Sequence, residues 1–334
     1  MPTFCRHNRF VDRCPICSKT LPGNAPAERA TPGRARPRKA ASSGRAGTRG
    51  GAALRVRHQE RAVEDGYSSP LIPGLRASAD AARLAEEIAF SNARLLALDA
   101  LGPEPGLTAR QLYGHVKSLL AAGDLEQTTW VCFLVAYLCP LEGPEPFAGV
   151  VQALQTPREQ LSALTDVALG PRTSHDPGRG SRTLDAYRQW TGQAGSQQLA
   201  LSGDASWTAQ RRFERLFERV ALPGLARAAR YELLMLLGAL GAYELQADSL
   251  HFSAARPGGA EDPATLAAKR VFAIGDPLLL DRRAGALAEA VAVPVGSLEL
   301  ALANWGVGER ATLGFPALEP DAETLARARG ALAL

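Results

Sequence analysis

Two apolar runs limit the architecture most tightly: WVCFLVAYLC at 130–139 and LLMLLGAL at 233–240. Both fall well short of the roughly 18 residues that a membrane-spanning helix needs. A helix this apolar on every side must be enclosed by other elements, and the sequence beyond residue 75 supplies amphipathic ones. Ser78 precedes ADAARLAEEIAFSNARLLALDALG, Thr108 precedes ARQLYGHVKSLLAAG, Ser181 precedes RTLDAYRQWTGQ and Ser206 precedes WTAQRRFERLFERV, each a candidate N-cap. Strand patterns are nearly absent, and the best of them, VAVPV at 291–295, carries a proline that argues against a central strand. The expected fold is all-α. Helices at 130–139 and 225–240 would form its centre, with the amphipathic helices wrapped around them. No internal repeat of fixed period stands out.

Charge divides the chain differently. The 334 residues are 46% hydrophobic and carry a formal charge of +4, a globular composition with enough apolar material for one large core or two modest ones. Residues 1–61 hold 14 Lys or Arg against three acids, and the rest carries a charge of −7. A cationic head on a mildly acidic body is expected, and three parts follow: a knuckle at 1–20, a disordered basic linker at 21–74 and an α-helical domain at 75–334. The linker is rich in Pro, Gly, Ala and Arg, with almost no large apolar residue before Leu54. Its arginines suit a phosphate backbone through counterion release; a solvated spacer with GC-rich coding bias is the competing explanation. The first twenty residues lack the apolar run of a secretory signal, and five cysteines make a disulfide framework improbable. A reducing cytoplasmic setting without membrane association is expected.

Within the head, Cys5, His7, Cys14 and Cys17 form C-x-H followed by C-x-x-C. Four soft or borderline ligands satisfy tetrahedral zinc, and two cysteines separated by two residues reach one ion from a tight turn. A closed shell of four leaves no position for activated water, so the expected zinc is structural, folding a head too small to fold unaided. Cys132 and Cys139 fall within the first apolar run, where cysteine behaves as a small hydrophobe.

Between residues 261 and 290 the sequence EDPATLAAKRVFAIGDPLLLDRRAGALAEA predicts a helix, a short turn and a second helix. Lys269 and Arg270 end the first helix, while Asp276 and Pro277 start the second as cap and first-turn proline. Such a hairpin can hold a phosphate on backbone N–H groups without reading base sequence. The usual pattern has two glycines around a hydrophobe; Ala273 stands in the first position, and Ile274 and Gly275 fit the rest. Asp276 would repel a phosphate placed directly on the helix terminus, and an ordinary helical corner is the alternative.

The strings WVCFLVAYLCPLEGPEPF, RYELLMLLGALGAYEL and AAKRVFAIGDPLLLDRRAGALAEAVAVP together resemble the α-glutamyl/putrescinyl thymine pyrophosphorylases, a group related to helix-hairpin-helix DNA glycosylases. The likeness spans roughly residues 75–310. It implies a glycosylase-like helical domain acting in DNA base hypermodification. A pyrophosphorylated 5-hydroxymethyluracil would lose pyrophosphate and gain an amine such as glutamate or putrescine, with DNA and the small amine as partners. True glycosylases of this fold carry a catalytic Asp soon after the second hairpin helix, whereas VAVPVGSLELALANWG offers only Glu299, which disfavours simple base excision.

That reaction needs an extruded nucleotide, a cationic grip on the leaving pyrophosphate and a carboxylate for the amine's proton. The candidates are Lys269, Arg270 and Arg230 for the grip, Glu232 or Asp276 for the base, and Tyr231 and Tyr137 for stacking, with Trp130 and Trp190 behind them. Each has a plainer role open to it. Glu232 suits an ion pair with Arg230 or Arg227, the aromatics suit a core, and His115 suits an ordinary helix position. No glycine-rich phosphate loop or Ser/His/Asp arrangement is present. A glycosylase or lyase and a non-enzymatic zinc-containing nucleic-acid-binding module remain as alternatives.

Overall fold

Side chains cap six of the twelve α-helix starts, four of them through aspartates. In the computed structural model, residues 62–156, 164, 166–179, 181–252 and 261–334 are described. The ligand quartet Cys5, His7, Cys14 and Cys17 and the linker through residue 61 lie outside them. Among the described residues there are twelve α-helices and no strand: α1 Ser78–Ala100, α2 Tyr113–Ala121, α3 Leu125–Leu138, α4 Ala148–Gln155, α5 Arg182–Ala194, α6 Gln197–Ser202, α7 Ala209–Arg219, α8 Arg227–Ala239, α9 Pro263–Phe272, α10 Pro277–Val291, α11 Ser297–Val307 and α12 Ala322–Leu332. The all-α expectation is met, and VAVPV is the end of α10, a left-handed cap at Ala292 and the approach to α11.

Side chains of Asp124, Ser196, Thr208, Asp262, Asp276 and Asp321 accept backbone N–H groups at the starts of α3, α6, α7, α9, α10 and α12, which satisfies donors a helix leaves unpaired. The serines behave otherwise. Ser206 bonds Asp204, and Thr208 caps α7 instead. Ser78 is the first residue of α1, and its N–H and hydroxyl are taken by the carboxylate of Asp65, from outside the helix. Thr108 closes a local turn on Gln111, short of α2.

Three helices are buried nearly throughout, and they form the centre. In α3 every residue from Thr128 to Leu138 is buried, and α8, in which Leu233, Leu234, Leu236 and Leu237 are buried, packs against it. The third is α11, buried from Ser297 to Trp305, which lies against α9 and α1; the two polar side chains Glu299 and Asn304 on it hid this role in the sequence. Around them, α1 also meets α12, and α10 closes over α9 and α12.

Residues 62–74, placed with the linker on composition, lie on this body. Ile72 is fully buried, and the Tyr67 hydroxyl donates to the Leu332 carbonyl at 2.6 Å. The Gly74 N–H donates to the Val271 carbonyl at 2.9 Å, and a Cβ on Gly74 would sit 1.8 Å from the Arg270 carbonyl oxygen. Only glycine lets the chain pass this close to the last turn of α9.

Candidate functional site

The hairpin expected between the two helices is formed by Ala273, Ile274, Gly275 and Asp276 between α9 and α10. Its left-handed residue is Ala273, at φ 54° and ψ 32°, the position where the pattern favours glycine. Holding a non-glycine residue there costs on the order of 1–3 kcal/mol. Gly275 has no positive φ, and a Cβ there would meet nothing within 4 Å. Ile274 packs on the core, and the Asp276 carboxylate accepts the Leu279 N–H at 3.1 Å. Arg270 is exposed, whereas Lys269 pairs with Glu261 back at the entry to α9.

The other candidates sit on the inner helices. Glu232 is buried, and its partner is neither Arg230 nor Arg227 but Arg94 of α1, whose guanidinium reaches both carboxylate oxygens. Burial disfavours the Arg94 cation, but Glu232 outweighs it and the arginine's pKa is raised. Arg230 points away on α8, over the Phe217 ring at 4.5 Å with a hydrogen bond to the Phe217 carbonyl. Tyr231 is buried and donates to the Ser249 carbonyl, with burial raising its pKa. Tyr137 is buried between Phe133 and His175. As placed, neither tyrosine has a free face for a base, and Trp130 is likewise within the α3 core. Among the described residues no hydrogen bond or ion pair joins Glu232 to Lys269, Arg270 or Asp276.

A second charged group lies deeper, and it was not assembled by sequence reasoning. Glu299 of α11, 2% exposed, accepts from Arg172 at 2.7 and 2.9 Å and from Arg227 at 2.7 Å. Arg227 also reaches Asp262, the α9 cap, at 2.9 Å, and the Leu250 carbonyl at 2.9 Å. Burial pushes Asp262 up, but Arg227 and the Thr265 N–H outweigh it and hold the carboxyl below its ordinary value. Burial likewise opposes the Arg172 and Arg227 cations, and Glu299 more than offsets it, so both pKa values are raised. The pairs Arg94–Glu232 and Arg172–Glu299–Arg227–Asp262 therefore tie α1, α8, α9, α11 and the 170–175 segment together. Arg94 offered a signal in retrospect, since it falls among the buried Ser91, Asn92 and Leu98 of α1. Arg172 offered none.

The two charged groups meet at a crevice lined by Val135, Cys139, Arg172, Ala228, Glu232 and Leu313. Its enclosed space is about 10 Å³, room for about one water. Cys139 ends α3 with φ 61°, and Gly170 permits the next close approach, since a Cβ there would lie 2.0 Å from the Pro140 carbonyl oxygen. Burial pushes the Cys139 and Cys132 thiols up to about 12, which leaves both inert as nucleophiles near neutral pH. Among the described residues, no cluster of three or more His, Cys, Asp or Glu could hold a metal ion, and no helix is long and apolar enough to cross a membrane. Comparison with protein-family models, curated proteins and solved structures finds no match.

Proposed function

We propose that this chain is a DNA base-hypermodification enzyme that replaces pyrophosphate on an activated 5-hydroxymethyluracil with an amine of the glutamate or putrescine type. The observation that carries it is the convergence of a carboxylate and a guanidinium, Glu232 and Arg172, on one crevice between α3 and α8. In the reaction the amine nitrogen bonds the methylene carbon, the carbon–oxygen bond to pyrophosphate breaks with its electron pair leaving on oxygen, and the amine's proton passes to a carboxylate. Glu232 is the acceptor in this scheme. Arg172 takes the place first given to Arg230 in stabilising the departing charge. Lys269 and Arg270 lie at the hairpin, where the DNA backbone would be held. A base cannot enter a space the size of one water, so the 170–175 segment must move away from Ala228 for turnover.

One observation favours a second reading. Glu232, Glu299 and Asp262 are ion-paired and Asp276 is a helix cap, which suits a non-enzymatic module that only docks on nucleic acid. One assay separates the two: purified protein, DNA bearing the pyrophosphorylated base, glutamate or putrescine as amine, and pyrophosphate release as readout. Release with either amine is expected, and Lys269→Ala should lower turnover by more than it lowers the melting temperature. Abasic sites in place of pyrophosphate would move the reading to a glycosylase. Silence in both, with DNA still bound, would move it to the module. Cys5, His7, Cys14 and Cys17 remain the proposed structural zinc ligands, with metal analysis of the whole chain expected to give one zinc that Cys14→Ser removes.

A further inference from the structure

Eight large apolar side chains are exposed among the described residues, and three of them stand on the two hairpin helices: Leu266 at 43%, Leu278 at 75% and Leu279 at 45%. Single exposed leucines need no explanation, but these are grouped and paired with cations. On α10, Leu278 lies one turn before Arg282 and Leu279 one turn before Arg283, so each leucine shares a face with an exposed guanidinium. This arc is opposite the buried Leu280, Ala284 and Leu287. On α9, Leu266 precedes exposed Arg270 by the same turn. Arg270, Arg282 and Arg283 make no ion pair among the described residues, although residues 62–334 carry a net charge of −7. Three cations without an ion pair among the described residues thus stand around an apolar point, although acids outnumber bases five to four over residues 261–291.

We propose that the outer face of the first two turns of α10 docks on duplex DNA, with Leu278 as an apolar wedge at a base step and Arg282 and Arg283 on the flanking phosphates. Charge complementarity selects the occupant. The apolar part is about one turn long and is followed by Ala286 and Glu289, too short a stripe for the broad apolar face that lies on a lipid surface. A short leucine edge flanked by arginines matches the wedges that unstack a step while cations hold the backbone. Asp276 acquires a place in this geometry. It blocks the helix axis by capping Leu279, so the phosphates are met along the side of α10, a turn further on. The inference rests on the DNA-acting reading above and adds the surface by which the duplex is held and distorted.

The test uses the full chain and a duplex carrying 2-aminopurine at successive steps. Arg282→Gln with Arg283→Gln should weaken binding at least tenfold at 100 mM salt and reduce the slope of log affinity against log salt by about 1.8, near 0.9 per phosphate contact. Leu278→Ala should leave that slope intact and abolish the fluorescence rise that marks an unstacked base. An unchanged slope in the arginine variant, an unchanged fluorescence rise in the leucine variant, or variants that lose binding to anionic phospholipid vesicles but not to duplex would each overturn the proposal. Pyrophosphate release is scored separately. Release by the wild type with undiminished release and DNA affinity in the variants sinks this face and spares the function, and face-dependent DNA binding without release does the reverse.

Discussion

Arginine plays opposite parts in two regions of the body. At the centre, Arg94 and Arg227 are buried, Arg172 is half-buried, and each lies against a carboxylate; around the hairpin, Arg270, Arg282 and Arg283 are exposed and make no ion pair among the described residues. A guanidinium withdrawn from water must find a partner or destabilise the fold, so removing Arg94 of α1 or Arg227 of α8 takes a partner from a buried carboxylate and is a folding defect. The outer ones contribute almost nothing to the fold and remain available for a ligand. Charge count therefore says little about where a basic residue acts, and burial says most of it.

The sharpest way to break the comparison is to remove one half of an inner pair. Glu232→Gln leaves Arg94 buried without its carboxylate and should cost about 3–5 kcal/mol in urea unfolding, whereas Arg94→Met with Glu232→Leu should recover most of it. A loss confined to activity would show that the pair is not structural. Gly74→Ala comes next, since its Cβ would meet the Arg270 carbonyl; crowding of this kind should cost about 1–3 kcal/mol and should open the base of the hairpin to amide exchange.

A smaller effect probes an inner group that carries no charge. His175 lies between the Tyr137 hydroxyl at 2.8 Å and the Leu164 carbonyl at 3.1 Å, and burial lowers its pKa from 6.5. The unfolded chain then takes up a proton before the folded one does. Stability from this residue is complete above pH 6.5 and is lost as pH falls below it. Burial raises Asp281, which acts in the opposite direction, so the diagnostic comparison is between proteins. From pH 7.5 to 5.5 the melting temperature of His175→Gln should fall less than that of the wild type. The smallest effect belongs to the outer region: Arg282→Gln should change stability by no more than about 0.5 kcal/mol, and a larger loss would place Arg282 in the fold.

Much of the architecture was legible because it depends on local pattern. The run at 130–139 could only be an enclosed helix, and the DP dipeptide at 276–277 announced the start of α10. The centrality of α11 was missed because Glu299 and Asn304 interrupt its apolar run, and both are satisfied by distant groups, Arg172 and Arg227 for one and Glu87 for the other. The same holds for Glu232. Its oddity in an apolar helix was visible, but its partner comes from α1, and long-range pairing leaves no trace in spacing. Ser206 and Thr208 show the limit at short range: two capping residues stood within one turn, and only the tertiary setting of α7 decided between them.

The position of α1 has a consequence for the order in which the protein can form. Its inner face is covered by α11 and α12, with Asn92 bonded to Thr324 at a separation of 232 residues and Tyr67 to Leu332 at 265. At translation rates of about 5–20 residues per second, the first helix would wait roughly 10–50 s for its cover. Through that interval Leu84, Ile88 and Leu98 would be open to other chains or to chaperones. Ribosome-bound fragments ending before residue 320 should therefore capture chaperones through α1, and release of the chain with α12 complete should end the capture.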